Sequence, residues 1–104
     1  MAKLDAVGGP RMLILLSLVD GPKHGYALME DIASVAGVRL GPGTLYGALE
    51  WLEDNGQIRA CAAEGRRRPY EITTAGREAV IAQERLWSAL ASTARLRLRA
   101  AGAS

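Results

Sequence analysis

The chain has 104 residues, enough for one domain with a single modest core. Half of it is apolar (49%) and about a quarter charged (23%), which excludes a disordered chain. The net charge of +2 is too small to name a partner, and the single cysteine, Cys61, excludes an internal disulfide and fits a reducing compartment, the cytoplasm.

Met1 to Gly9 reads as a short mobile start. Pro10 opens a first helix that runs to about Val19. Its apolar run, Met12 to Val19, is far short of the roughly 20 residues that a membrane span needs. Lys3 and Arg11 precede it as they would in a secretion signal. Asp5 upstream, the turn Asp20-Gly21-Pro22 downstream and the lack of a small-x-small cleavage pattern argue against one. The run is therefore expected to be a short helix buried on most sides. Such a helix needs more cover than a chain of this size easily provides, which is a first hint of a dimer.

A second helix is expected from Gly25 to Ala36, with Leu28, Ile32 and Val35 as its apolar stripe and Gly37 as its stop. Met29, Ala33 and Ala36 widen that stripe, and His24 reads as a turn or cap residue. Val38-Arg39-Leu40 is a candidate minimal strand.

The third helix, Pro42 to about Asn55, has a marked start and stop. Pro42 suits a first turn, where a missing N–H costs nothing, and Gly56 closes the helix. Leu45, Ala48, Leu49 and Leu52 share one face. The opposite face carries Gly43, Gly47, Glu50 and Asp54, with Thr44 and Tyr46 at its leading edge. Small residues and hydroxyls there let the helix end approach a phosphate or a base edge. Two short strands, Ile58 to Ala62 and Tyr70 to Thr73, then flank a basic turn that holds Arg66, Arg67 and Arg68. Pro69 cannot donate to a ladder, so its strand is expected at an edge. A presented helix followed by a basic hairpin tip is how winged-helix proteins hold DNA.

Thr73 or Thr74 caps a last helix from about Ala75 to Arg99, rich in good helix formers. Gly76, Val80, Trp87, Ala94 and Leu98 form a narrow stripe on it, flanked by Gln83, Leu90 and Ala91. The near seven-residue spacing is that of a helix packing along another helix. The expected fold is mainly α with a small β-wing: a winged helix-turn-helix over residues 1–74, then a dimerisation helix and short tail over 75–104.

Three segments together resemble the PadR family of transcriptional regulators. They are Asp20-Gly21-Pro22-Lys23-His24-Gly25-Tyr26, Pro42-Gly43-Thr44-Leu45-Tyr46-Gly47-Ala48-Leu49, and Arg66-Arg67-Arg68-Pro69-Tyr70-Glu71-Ile72-Thr73-Thr74-Ala75-Gly76. They stand in the family's order and spacing over about residues 10–80. The resemblance implies a winged-helix DNA-binding domain, a homodimer built through the C-terminal helix, and repression of nearby genes. The short tail after residue 100 is similar to the compact branch of the family, with one C-terminal helix. The family often has a basic residue near Glu50 or Trp51, whereas this helix carries Glu50, Glu53 and Asp54. Negative charge there opposes phosphate binding and shifts the burden to the wing and to Lys23, Arg39 and Thr44.

The expected DNA contacts are Lys23, Arg39, Gly43, Thr44, Tyr46, Gly47, Glu50, Arg66, Arg67 and Arg68. Tyr46 donates to a phosphate or lids the core edge, the first being favoured. The three arginines grip DNA or form a solvated tip, and the preceding helix favours DNA. Glu50 reads a cytosine N4, lies on a solvated face or pairs with a wing arginine; base reading is the weaker choice. Tyr70 alternates with Ile72 toward the core and reads as structural. Trp51 is expected on the wing or the first helices rather than on DNA. Cys61 is read as a small buried residue over a redox switch.

The expected dimer interface is Leu13, Leu16, Val80, Trp87, Leu90, Ala94 and Leu98. Trp87 is a dimer anchor or, as the resemblance implies for some members, a platform for a planar aromatic compound, with Ala91 and Ala94 leaving room beside it. No catalytic constellation, phosphate loop, metal cluster or cofactor motif is present, and one histidine far from one cysteine cannot make a zinc site. Two functions remain: a dimeric repressor on an inverted-repeat operator, relieved by a small aromatic ligand, and a winged-helix module that binds protein without specific DNA binding.

Overall fold

The computed structural model describes residues 8–103; the expected start at Met1–Gly9 lies, over its first seven residues, outside them. Four helices and one hairpin follow in the order α1 (Gly9–Leu18), α2 (Gly25–Ala36), α3 (Pro42–Asp54), β1 (Ile58–Ala60), β2 (Tyr70–Ile72) and α4 (Thr74–Ala103). The molecule is mainly helical, with a small two-stranded antiparallel sheet and a long C-terminal helix.

Local chemistry sets the boundaries. His24 caps α2, its Nδ1 accepting from the Ala27 N–H at 3.4 Å. Gly37 ends α2 in the left-handed region at φ 66°, where a Cβ would be strained. Thr73, not Thr74, caps α4. Its hydroxyl accepts from the Gly76 N–H at 3.2 Å and donates to the Gly56 carbonyl at 2.6 Å. One side chain thus joins the end of α3 to the start of α4.

The core is a cluster of leucines and isoleucines. Ile14, Leu15 and Leu18 of α1, Leu28 and Ile32 of α2, Leu45, Leu49 and Leu52 of α3, and Ile58 of β1 are fully buried. Each such side chain contributes on the order of 1.5–3 kcal/mol. Ser17 is buried among them and donates to Asp31 Oδ2 at 2.6 Å, which ties α1 to α2 and satisfies the hydroxyl.

The strands pair Ile58 with Ile72, Arg59 with Glu71 and Ala60 with Tyr70. The ladder is shorter than expected, but the hairpin continues through Cys61 N–H to the Pro69 carbonyl at 2.8 Å and a mutual Glu64–Arg67 pair. Gly65 at φ 63° takes the first position of that two-residue tip. Tyr70 also exchanges both backbone hydrogen bonds with Lys23, at 3.0 and 3.1 Å, which staples the wing root to the turn before α2. At that residue β2 has a partner on each side, so the edge expected from Pro69 is only partly an edge.

Three expectations are corrected. Val38–Leu40 forms no strand; it spans the gap between α2 and α3 with Leu40 buried, and Lys23 supplies the extra pairing instead. Val35 is 65% exposed rather than part of the α2 core stripe. The chain itself covers α1, since Leu13, Ile14, Leu15, Ser17 and Leu18 are all buried in one protomer. The need for cover is therefore no argument for a dimer.

The helix α4 supplies a different one. It runs 30 residues, on the order of 45 Å. Gly76 is buried, and Ala79, Val80, Gln83 and Trp87 are partly covered by the body. From Ser88 to Gly102 every residue is exposed, including Leu90, Leu96 and Leu98. The expected stripe therefore divides, its first half packed at home and its second half bare.

Candidate nucleic-acid interface

The interface is built around α3. Leu45, Ala48, Leu49 and Leu52 anchor it in the core, and this fixes which residues it presents: Gly43, Thr44, Tyr46, Gly47, Glu50, Glu53 and Asp54 are all exposed. A Cβ built on Gly43 or Gly47 meets nothing within 4 Å, so the fold itself does not require glycine at either position. Gly47, in the helix interior, costs about 0.5–1 kcal/mol against alanine, whereas Gly43 stands in the first turn.

On one flank of α3, Tyr46 reaches toward the start of α2 and the wing. Tyr46, His24, Gly25, Tyr26, Tyr70, Arg66, Arg67 and Arg68 line one open cleft. Tyr46 and Tyr26 are 54% and 65% exposed. Tyr70 sits deeper, and burial, then the charge of Glu53, pushes its phenol pKa up. Tyr26 carries no signal of its own in the sequence beyond closing the first segment of the family resemblance. Among the described residues no ion pair engages Arg66, Arg67 or Arg68, so the wing tip is a patch of unpaired positive charge. Glu50 is likewise in no ion pair among the described residues, which removes the pairing with a wing arginine from its three readings.

Lys23 and Arg39 lie elsewhere. The Lys23 ammonium donates to the Ser17 carbonyl and to Asp20 at 2.6 Å, and its side chain is 19% exposed. Lys23 in turn holds the Asp20 carboxyl below the usual carboxylate range. Arg39 pairs with Glu30 at 3.1 Å, on the solvent side of α2. The structure brings Gly43, Thr44, Tyr46, Gly47 and Glu50 together on α3, adds the wing arginines beside Tyr46, and gives Lys23 and Arg39 intramolecular partners.

The expected interface for a second copy is spread more widely. Leu13 is buried in the core and Val80 packs against it, whereas Leu16, Leu90, Ala94 and Leu98 are exposed. Trp87 is partly buried, and Ala91 lies exposed one turn further along α4. Trp51 is exposed, and its one contact with α1 described by the structure is the Arg11 guanidinium 3.7 Å from its ring centroid. Cys61 is partly buried just beyond β1. Among the described residues no group of three His, Cys, Asp or Glu side chains could hold a metal ion, and no helix is long and apolar enough to cross a membrane.

Residues 14–82, the span of the core, α3 and the wing, match the family of PadR-like transcriptional regulators. The chain belongs to that family. That family is one of transcriptional regulators. A PadR-like transcriptional regulator of Bacillus cereus has a similar structure, with a TM-score of 0.78 over 94% of this chain and 97% of that one at 19% identity. A transcriptional regulator of Clostridium thermocellum gives 0.74 over 88% and 92% at 27% identity. An uncharacterised 37.1 kDa protein in transposon Tn4556 of Streptomyces fradiae is 53% identical over 68 residues, 65% of this chain. This PadR-like chain spans only 20% of that relative's length.

Proposed function

We propose that this PadR-like regulator binds double-stranded DNA as a homodimer, with α3 in the major groove and the wing on the adjacent backbone. One observation carries this reading: the presented face of α3, small at Gly43 and Gly47, lies beside a wing tip whose three arginines have no internal ion pair. Gly47 costs helix stability, and a Cβ at either glycine would meet open space, which fits a surface that must approach another molecule closely. Thr44 and Tyr46 contact phosphate, and Arg66, Arg67 and Arg68 supply counterion-release affinity. Glu50 faces the bases, where it accepts from a cytosine N4 or stays solvated. Lys23 and Arg39 act indirectly, Lys23 by fixing the turn that carries His24, Gly25 and Tyr26.

The bare half of α4, with Leu90, Ala94 and Leu98, joins two copies, aided by Leu16. Two-fold symmetry then requires an inverted-repeat operator. Residues 8–74 form the DNA-binding unit and α4 the dimerisation helix. The regulator acts in the cytoplasm as a repressor, and a planar aromatic compound beside Trp87, Ala91 and Ala94 relieves it. A ligand that prefers the unbound arrangement by about 1–3 kcal/mol loosens the operator several-fold or more. In a Trp51→Phe variant Trp87 alone reports, and flat dyes are expected to quench it and to weaken operator binding together.

The acidic residues Glu50, Glu53 and Asp54 on α3 favour the second reading, a module that docks on a basic protein surface. Footprinting on the DNA upstream of the regulator's own gene separates the two. Two protected half-sites about one helical turn apart are expected; an unprotected fragment overturns the DNA reading.

A further inference from the structure

The wing and Tyr46 serve one flank of α3, and the other flank has a cation of its own. On a helical wheel Thr44, Gly47 and Trp51 fall on the side away from Tyr46. There α3 meets the start of α1. An open cleft between the two helices is lined by Gly8 just before α1, Gly9 and Pro10 at its start and Gly43, Thr44 and Gly47 from α3, and Arg11 is the charged residue in that lining. Arg11 is exposed, in no ion pair among the described residues, and stacked 3.7 Å from the centroid of the Trp51 ring.

Stacking on a ring holds the guanidinium plane and leaves its edge N–H groups free to donate. Glu50, next to Trp51 in sequence, and Asp54, three residues after it, are exposed on α3, yet neither captures Arg11 in an ion pair. The cation is thus positioned by an aromatic ring and, among the described residues, left without an anion. A helix about 10–12 Å across fills a major groove about 12 Å wide, so phosphates line both of its flanks. The wing arginines answer one line of phosphates. The opposite line runs past the Thr44–Trp51 flank, where Gly43 and Gly47 carry no side chain to hold it off.

We propose that Arg11, oriented by Trp51, binds a DNA backbone phosphate on the flank of α3 opposite the wing. This rests on the DNA-binding reading above. It also names where an acidic helix recovers positive charge: from α1, and not from the position on α3 itself where the family often carries it. Arg11 is then a phosphate contact and Trp51 its positioning residue.

The test is the salt dependence of binding to the upstream DNA for the parent and for Arg11→Ala, Arg11→Lys, Trp51→Leu and the double variant Arg11→Ala/Trp51→Leu. Arg11→Ala is expected to weaken operator and unrelated DNA alike by about tenfold and to lower the log–log salt slope by about 0.9. Arg11→Lys keeps most of the slope. Trp51→Leu weakens binding, but adds little to Arg11→Ala in the double variant, because an orienting ring has nothing left to orient. Melting temperatures are read alongside. An unchanged slope in Arg11→Ala overturns the proposal, whether affinity holds or falls together with melting temperature. Additive effects in the double variant overturn the role of Trp51. A parent that binds while Arg11→Ala matches it defeats this inference alone. A parent that does not bind defeats the DNA reading and this inference with it.

Discussion

The Tyr46 hydroxyl lies 2.6 Å from where a Cβ on Gly25 would stand. Gly25 opens α2 and Tyr46 flanks α3, so a missing methyl on one helix is what lets the tyrosine of the other lie across it. The obstacle is the far end of a flexible side chain, so Gly25→Ala is expected to push Tyr46 aside and leave the fold intact. Operator affinity should fall about tenfold, with little change in melting temperature. Tyr46→Phe should cost a similar amount, and the two changes together should cost little more than one. Full additivity would show that the two positions act separately.

Gly76 is the opposite case. A Cβ there would overlap the backbone carbonyl of Gln57 and stand 2.6 Å from Ile72 Cγ1. The carbonyl cannot swing away, because it accepts from the Thr73 N–H at 3.0 Å. Gly76→Ala is therefore expected to destabilise by about 1–3 kcal/mol, as overpacked cores do. That corresponds to a fall in melting temperature of at least about 4 °C. A scan matching the parent's would mean that the start of α4 is looser than the close approach implies.

The proposed dimer rests on the bare half of α4. Leu90 and Leu98 are 59% and 72% exposed, so changing both to lysine leaves the core of the protomer untouched. Sedimentation at micromolar concentration is expected to give a dimer for the parent and a monomer for Leu90→Lys/Leu98→Lys, with the same helical circular dichroism. A monomeric parent would remove both the dimer and the inverted-repeat operator.

Much of this is legible in the sequence, and the exceptions share a cause. Proline, glycine and threonine mark local backbone needs, and so the limits of α2 and α3 and the cap of α4 follow from His24, Gly37, Pro42, Gly56 and Thr73. The helix α4 outruns its expected end at Arg99 because Ala100 and Ala101 continue it and no breaker stops it there. Val38–Leu40 has strand-like residues, but pairing depends on a neighbour, and the neighbour of β2 is Lys23. The same holds for the candidate site. The run of arginines and the small face of α3 are local features. The capture of Lys23 by Ser17 and Asp20, and of Arg39 by Glu30, depends on tertiary proximity. The stack of Arg11 on Trp51 joins two helices far apart in the chain, and no pattern along the sequence announces it.

The wing carries the central claim. Its three arginines stand at a glycine-led tip and are in no ion pair among the described residues. The decisive measurement is fluorescence anisotropy of labelled upstream DNA, titrated with the parent and with Arg66→Ala/Arg67→Ala/Arg68→Ala across a range of salt. The parent is expected to bind with a steep salt dependence. The triple variant is expected to bind every sequence more weakly, with a slope reduced by roughly 0.9 for each phosphate that the wing no longer neutralises. Equal affinity and equal slope at physiological salt would contradict the account and favour a protein partner for α3.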